Sequence, residues 1–81
     1  MATPREAQLL SISNIMASEG GRDFMWRYLQ QSYVFVSVFD VDPIQHAYNA
    51  GRREVGLFLQ REVKEAAPDQ YIMMIKEHID D

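Results

Sequence analysis

Residues 42–66 read Asp42-Pro43-Ile44-Gln45-His46-Ala47-Tyr48-Asn49-Ala50-Gly51-Arg52-Arg53-Glu54-Val55-Gly56-Leu57-Phe58-Leu59-Gln60-Arg61-Glu62-Val63-Lys64-Glu65-Ala66, and the folding of this stretch governs the rest of the chain. Asp42 suits an N-cap, because its carboxylate can accept from the free N–H groups of a first helical turn. Pro43 fits the first helical position, where a missing N–H costs nothing, and Gln45 completes a capping-box-like spacing. Ile44, Ala47, Tyr48, Gly51, Val55, Phe58, Glu62 and Val63 recur at helical intervals and make one mostly apolar stripe. A helix of this length spans about 36 Å, whereas a compact globule of this size has a radius of gyration of only about 12 Å. The stretch is therefore expected to cross the whole domain as a spine, or to bend at Gly51 or Gly56.

Upstream, Thr3-Pro4-Arg5-Glu6 reads as a helix start, followed by Leu9, Ile12, Ile15 and Met16 at helical spacing. Gly20-Gly21 is expected to end that helix, since glycine takes a C-cap's left-handed conformation readily. A second helix is expected from about Arg22 to Ser32, burying Phe24, Met25, Tyr28 and Leu29 and leaving Trp26 exposed. Residues 33–39, Tyr33-Val34-Phe35-Val36-Ser37-Val38-Phe39, have strand composition but no second strand to pair with inside the chain. Two outcomes are open for them: an extended connection pressing Phe35 and Phe39 into the helices, which is favoured, or pairing with a second copy across a dimer. Downstream, Ala67-Pro68-Asp69 breaks the spine and starts a last helix, with Tyr71, Ile72, Ile75, His78 and Ile79 as its apolar face and Asp80-Asp81 fraying. The expected fold class is all-α: a single four-helix domain over 1–81, built around one long helix at about 43–66, with an extended apolar connection at 33–40.

Composition narrows the chemistry. Eighty-one residues support one thin core, worth roughly 3–5 kcal/mol. With no cysteine, neither a disulfide nor a thiolate metal site can reinforce it. No apolar run approaches the roughly 20 residues of a membrane span and no signal-peptide pattern opens the chain, so a soluble protein is expected. The net charge of −4 is uneven: residues 1–61 carry six Arg against six acids, and residues 62–81 carry two Lys against six acids. A polyanion partner such as nucleic acid is disfavoured by that balance.

Catalytic patterns are missing. His46 and His78 belong to no metal-ligating spacing, Asp40-Val41-Asp42-Pro43 lacks the glycine and distal glutamate of a calcium loop, and no serine stands in a nucleophile elbow. No enzyme activity, metal or cofactor is expected. Each spine glycine costs a helix about 1 kcal/mol relative to alanine, so Gly51 and Gly56 are assigned to close packing, with a kink or a partner-contact notch as the alternatives. Arg52 and Arg53 admit a phosphate-contact reading, but the favoured one pairs an arginine with Asp23, Asp40 or Asp42. As candidate protein-contact residues the sequence offers Arg22, Trp26 and Tyr33, together with Arg52 and Arg53.

The order of these features resembles a family of small domains from short-tailed bacteriophages and their prophages, named after a protein of a Bordetella phage. The resemblance spans about Gly21 to Tyr71. It rests on Gly21-Arg22, Phe24 and Tyr28-Leu29, then Val34-Phe35, Ser37 and Phe39. It continues through Ala47-Tyr48-Asn49-x-Gly51-Arg52-Arg53-x-Val55-Gly56-Leu57-x-Leu59 to Pro68 and Tyr71. Glu54 stands where the family usually has asparagine. The resemblance implies phage origin, no assigned enzymatic activity, and a place in the host cytoplasm or in the virion. The leading reading is a non-enzymatic protein–protein interaction module associated with the virion or its assembly, binding a phage component, a host protein or a copy of itself. The alternative is an early phage protein that binds and inhibits a host factor or defence complex, its acidic C-terminal end imitating nucleic-acid charge.

Overall fold

A computed structural model describes residues 3–79. Four helices follow one another: α1 (Pro4–Met16), α2 (Glu19–Gln31), α3 (Pro43–Ala66) and α4 (Pro68–His78). No strand occurs among the described residues, and residues 33–40 form a turn followed by an irregular connection from 36 to 40. The expected all-α architecture around one long helix is present. Asp80-Asp81, expected to fray, lie outside the described residues.

Local chemistry sets most of the helix ends. The Thr3 side chain accepts from Glu6 N at 3.1 Å, and Asp42 Oδ1 accepts from Ile44 N at 2.9 Å, with proline opening both helices. The α1–α2 junction departs from expectation. Gly20 and Gly21 lie inside α2, whose N-cap is Ser18, its hydroxyl accepting from Gly21 N at 3.0 Å. Glycine is needed at 21 for closeness rather than for termination: a β-carbon there would stand 1.8 Å from the carbonyl oxygen of Ile15. The corner between α1 and α2 is tight enough to exclude any side chain.

The core is small. Met16, Met25, Leu29, Val34, Val63, Ala67 and Met74 are buried, with Ile12, Trp26, Leu57, Leu59, Tyr71 and Ile75 packed against them. Three methionines serve as gap-fillers, a use their unbranched side chains suit. Phe24 and Tyr28, expected to be buried, are exposed, as are Ile15 of α1, Ile72 and Ile79 on the apolar face at the C-terminal end, and most of the α3 stripe. In the connection, Val34 is the anchor. Phe35 reaches Trp26, and Phe39 is largely exposed beside His46, their ring centroids 5.7 Å apart.

The consequence is a flat molecule. It measures 49 × 33 × 16 Å and its radius of gyration is 14.3 Å, above the roughly 12 Å of a compact domain of this length. The spine does cross the fold, but helices cover only part of its circumference.

Candidate functional site

The two consecutive arginines of α3 act on the turn that ends α2. There Ser32 Oγ donates to Tyr28 O at 3.0 Å and Val34 N donates to Leu29 O at 3.3 Å. Tyr33 takes the left-handed conformation, with φ at 57°. A non-glycine residue pays about 1–2 kcal/mol for that backbone, so neighbouring contacts must hold it. Arg53 Nε donates to Tyr33 O at 3.0 Å, while the Arg52 guanidinium lies 4.9 Å from the Tyr33 ring centroid and donates to Gln31 Oε1 at 3.1 Å. The expected pairing with Asp23, Asp40 or Asp42 does not occur. Asp23 bonds Arg27 and His78, Asp40 accepts from Asp42 N, and Asp42 caps α3.

Gly56 completes this clamp. A β-carbon on it would meet Ser32 Cβ at 2.4 Å and Val34 Cγ2 at 2.6 Å, so the α2–α3 turn presses directly on the helix backbone. That is the close packing anticipated for the spine glycines. Gly51 is a different case: a β-carbon there would meet nothing within 4 Å. Among the described residues, nothing packs closely at Gly51.

Arg22 and Trp26 each serve an internal contact. Arg22 is buried, forks onto Glu77 with Nε to Oε1 at 2.7 Å and Nη2 to Oε2 at 3.0 Å, and donates from Nη1 to Met16 O at 3.1 Å. One guanidinium thus ties the end of α1 and the start of α2 to α4. Its hydrogen bonds raise the Arg22 pKa and hold the Glu77 carboxyl below the ordinary carboxylate value. Trp26 is half-buried rather than exposed, stacked at 5.0 Å between Phe35 and His78. Of the five candidate contact residues, the structure brings Tyr33, Arg52 and Arg53 together and commits Arg22 and Trp26 to separate contacts.

Charge elsewhere is similarly engaged. Arg5 bonds Glu62 and reaches Glu65 Oε2 at 2.6 Å. The Glu62 carboxyl is held below its ordinary value chiefly by the Arg5 hydrogen bond. Three of the C-terminal acids therefore carry an arginine on them, which blunts an acidic surface there. Among the described residues, no three His, Asp or Glu side chains converge to hold a metal ion, and no helix is long and apolar enough to cross a membrane.

What the side chains do assemble is apolar surface. Among the described residues, fifteen large hydrophobic residues are exposed against six that are buried. Among them Ile44, Tyr48, Val55 and Phe58 line one edge of α3, and Phe24 and Tyr28 make a ring pair on α2 with centroids 6.4 Å apart. Sequence reasoning found the α3 residues but assigned them inward. The signal that could have corrected it is Gly56, Gln60 and Val63, which point about 120° around the helix from that edge.

No curated protein and no solved structure matches the chain significantly. The phage resemblance read from Gly21-Arg22 and the Gly-Arg-Arg-x-Val-Gly run is matched at family level. The chain belongs to the family of Bbp19-like phage proteins, whose pattern it fits over residues 12–76.

Proposed function

We propose that this phage protein is a non-enzymatic interaction module, incorporated in the virion or used in its assembly. The observation that carries the reading is the excess of exposed over buried large hydrophobic residues on a flat four-helix body. An exposed apolar stripe along one helix, such as Ile44, Tyr48, Val55 and Phe58 on α3, is the kind of surface that marks contact sites. The polar residues that could support chemistry are instead spent on structure. Arg52 and Arg53 hold a strained turn, Arg22 and Glu77 lock three helices, and His78 is stacked on Trp26.

Mass spectrometry of purified particles, washed at high salt, tests the reading. The chain is expected at a constant copy number per particle. Its absence from particles and assembly intermediates would remove the virion role and turn attention to a host factor as partner.

A further inference from the structure

We infer that α3 carries a self-complementary seam, centred on Gly51, through which two copies of this chain pair antiparallel. This names one partner for the interaction module proposed above and rests on that reading.

The seam is Ile44, Tyr48, Gly51, Val55 and Phe58, which alternate four- and three-residue steps, the spacing of a two-helix seam. Ile44 is 83% exposed, Tyr48 64%, Val55 56% and Phe58 55%, so the fold itself leaves this edge uncovered. The pattern is close to palindromic about Gly51, with the Tyr48 and Val55 positions offset from exact reflection by one residue. Ile44 and Phe58 each lie seven residues from Gly51, and Tyr48 and Val55 lie three before and four after it. An antiparallel copy therefore sets Ile44 against Phe58, Tyr48 against Val55, and glycine against glycine. A twofold interface requires that reciprocity, because the same patch must serve both sides.

Among the described residues nothing fills the notch. A β-carbon at Gly51 would meet nothing within 4 Å, yet glycine costs a helix about 1 kcal/mol relative to alanine. At the crossing point of two helices the missing side chain lets the backbones approach. The bulky member of each flanking pair also has a place to go. Beside Val55 is a recess of about 310 Å³ between Tyr28, Gln31 and Arg52, opposite the Tyr48 of an antiparallel copy. Arg52 and Arg53 are drawn off the seam by Gln31 and Tyr33, so no pair of like charges is forced together at its centre.

Area agrees with a second copy. The chain exposes 5670 Å², where a folded monomer of its mass exposes about 5,000 Å². The excess over two copies is roughly 1,300 Å², comparable to what specific, stable interfaces at the lower end of their range bury.

Sedimentation equilibrium of the full chain tests this, with a mass near twice 9.4 kDa expected at about 100 µM and dissociation on dilution. Val55→Glu should keep the helical circular dichroism, since Val55 is exposed in the monomer, and weaken association at least about tenfold. The chain has no cysteine, so Gly51→Cys should crosslink on mild oxidation. Ile44→Cys and Phe58→Cys should crosslink when mixed but not alone, which a parallel pair would not reproduce. A monomer at all concentrations overturns the inference, as does a dimer indifferent to Val55→Glu. A monomer that still enters particles would end this inference and leave the assembly role standing, whereas a seam dimer absent from particles does the reverse.

Discussion

The two halves of α3 share one apolar stripe and live in different surroundings. From Gly56 onward the helix is pressed by the α2–α3 turn at Gly56, buried at Val63, and bridged to α1 through Arg5 and Glu62. From Pro43 to Val55 only its inner side is held, by Arg52 and Arg53, and its apolar edge faces solvent. Hydrophobic periodicity reports that a face exists; it does not report whether the same chain covers it. α3 has two apolar faces, and only the inner one belongs to the fold.

Core truncation should expose the difference most strongly. Met74→Ala removes a fully buried side chain that lies in the core with Val63 and should cost about 2–5 kcal/mol by urea denaturation. Ile44→Ala, on the bare half, should leave monomer stability within about 0.5 kcal/mol. Similar losses at both positions would mean that Ile44 is buried in solution, which the seam would explain only if the loss disappeared on dilution.

The glycines give a matched pair with opposite signs. Gly56→Ala forces a β-carbon against Ser32 and Val34 and should destabilise by about 1–3 kcal/mol. Gly51→Ala meets no atom and should stabilise the dilute monomer by up to about 1 kcal/mol through helix propensity. At concentrations where copies pair, the same alanine should weaken association. Equal signs for the two substitutions at low concentration would erase the contrast between the halves.

Much of this is legible in the sequence. Asp42-Pro43 and Ala67-Pro68 bound α3 correctly, because caps and prolines act locally. Gly20-Gly21 misled, because the rule that glycine ends helices yielded to a tertiary demand, the Ile15 carbonyl against Gly21. Arg22 looked like a surface residue because its partner Glu77 is 55 positions away, beyond any local pattern. Trp26 was placed outside for the same reason: Phe35 and His78, which enclose it, lie on other elements. The Arg52-Arg53 pair stands out in the sequence but its partners do not, since a left-handed Tyr33 carbonyl is not a feature that sequence advertises.

The smallest effect concerns acid, and it too divides the molecule. Three of the four carboxylates bonded to arginine, Glu62, Glu65 and Glu77, tie helices together at the packed end; the fourth, Asp23, pairs with Arg27 within α2. Glu62 and Glu77 are held below their ordinary value of 4.5 by hydrogen bonds from Arg5 and Arg22. A carboxylate whose folded pKa is lowered contributes stability that is fully present above its unfolded value and disappears as pH falls through the folded one. The urea midpoint should therefore stay level from neutral pH down to about 5 and decline below it. Arg22 and Arg5 shift upward, beyond the range where folding is measured, so no mirror-image loss is expected on the alkaline side. Arg22→Met should flatten the acid decline as well as lower stability throughout, because Glu77 then titrates near its unfolded value. Since these groups keep contact with solvent, the slope should also shrink in high salt. An acid decline unchanged by Arg22→Met would mean that the Arg22–Glu77 fork does not set the acid response, and that the packed end is secured by its methionines and glycines alone.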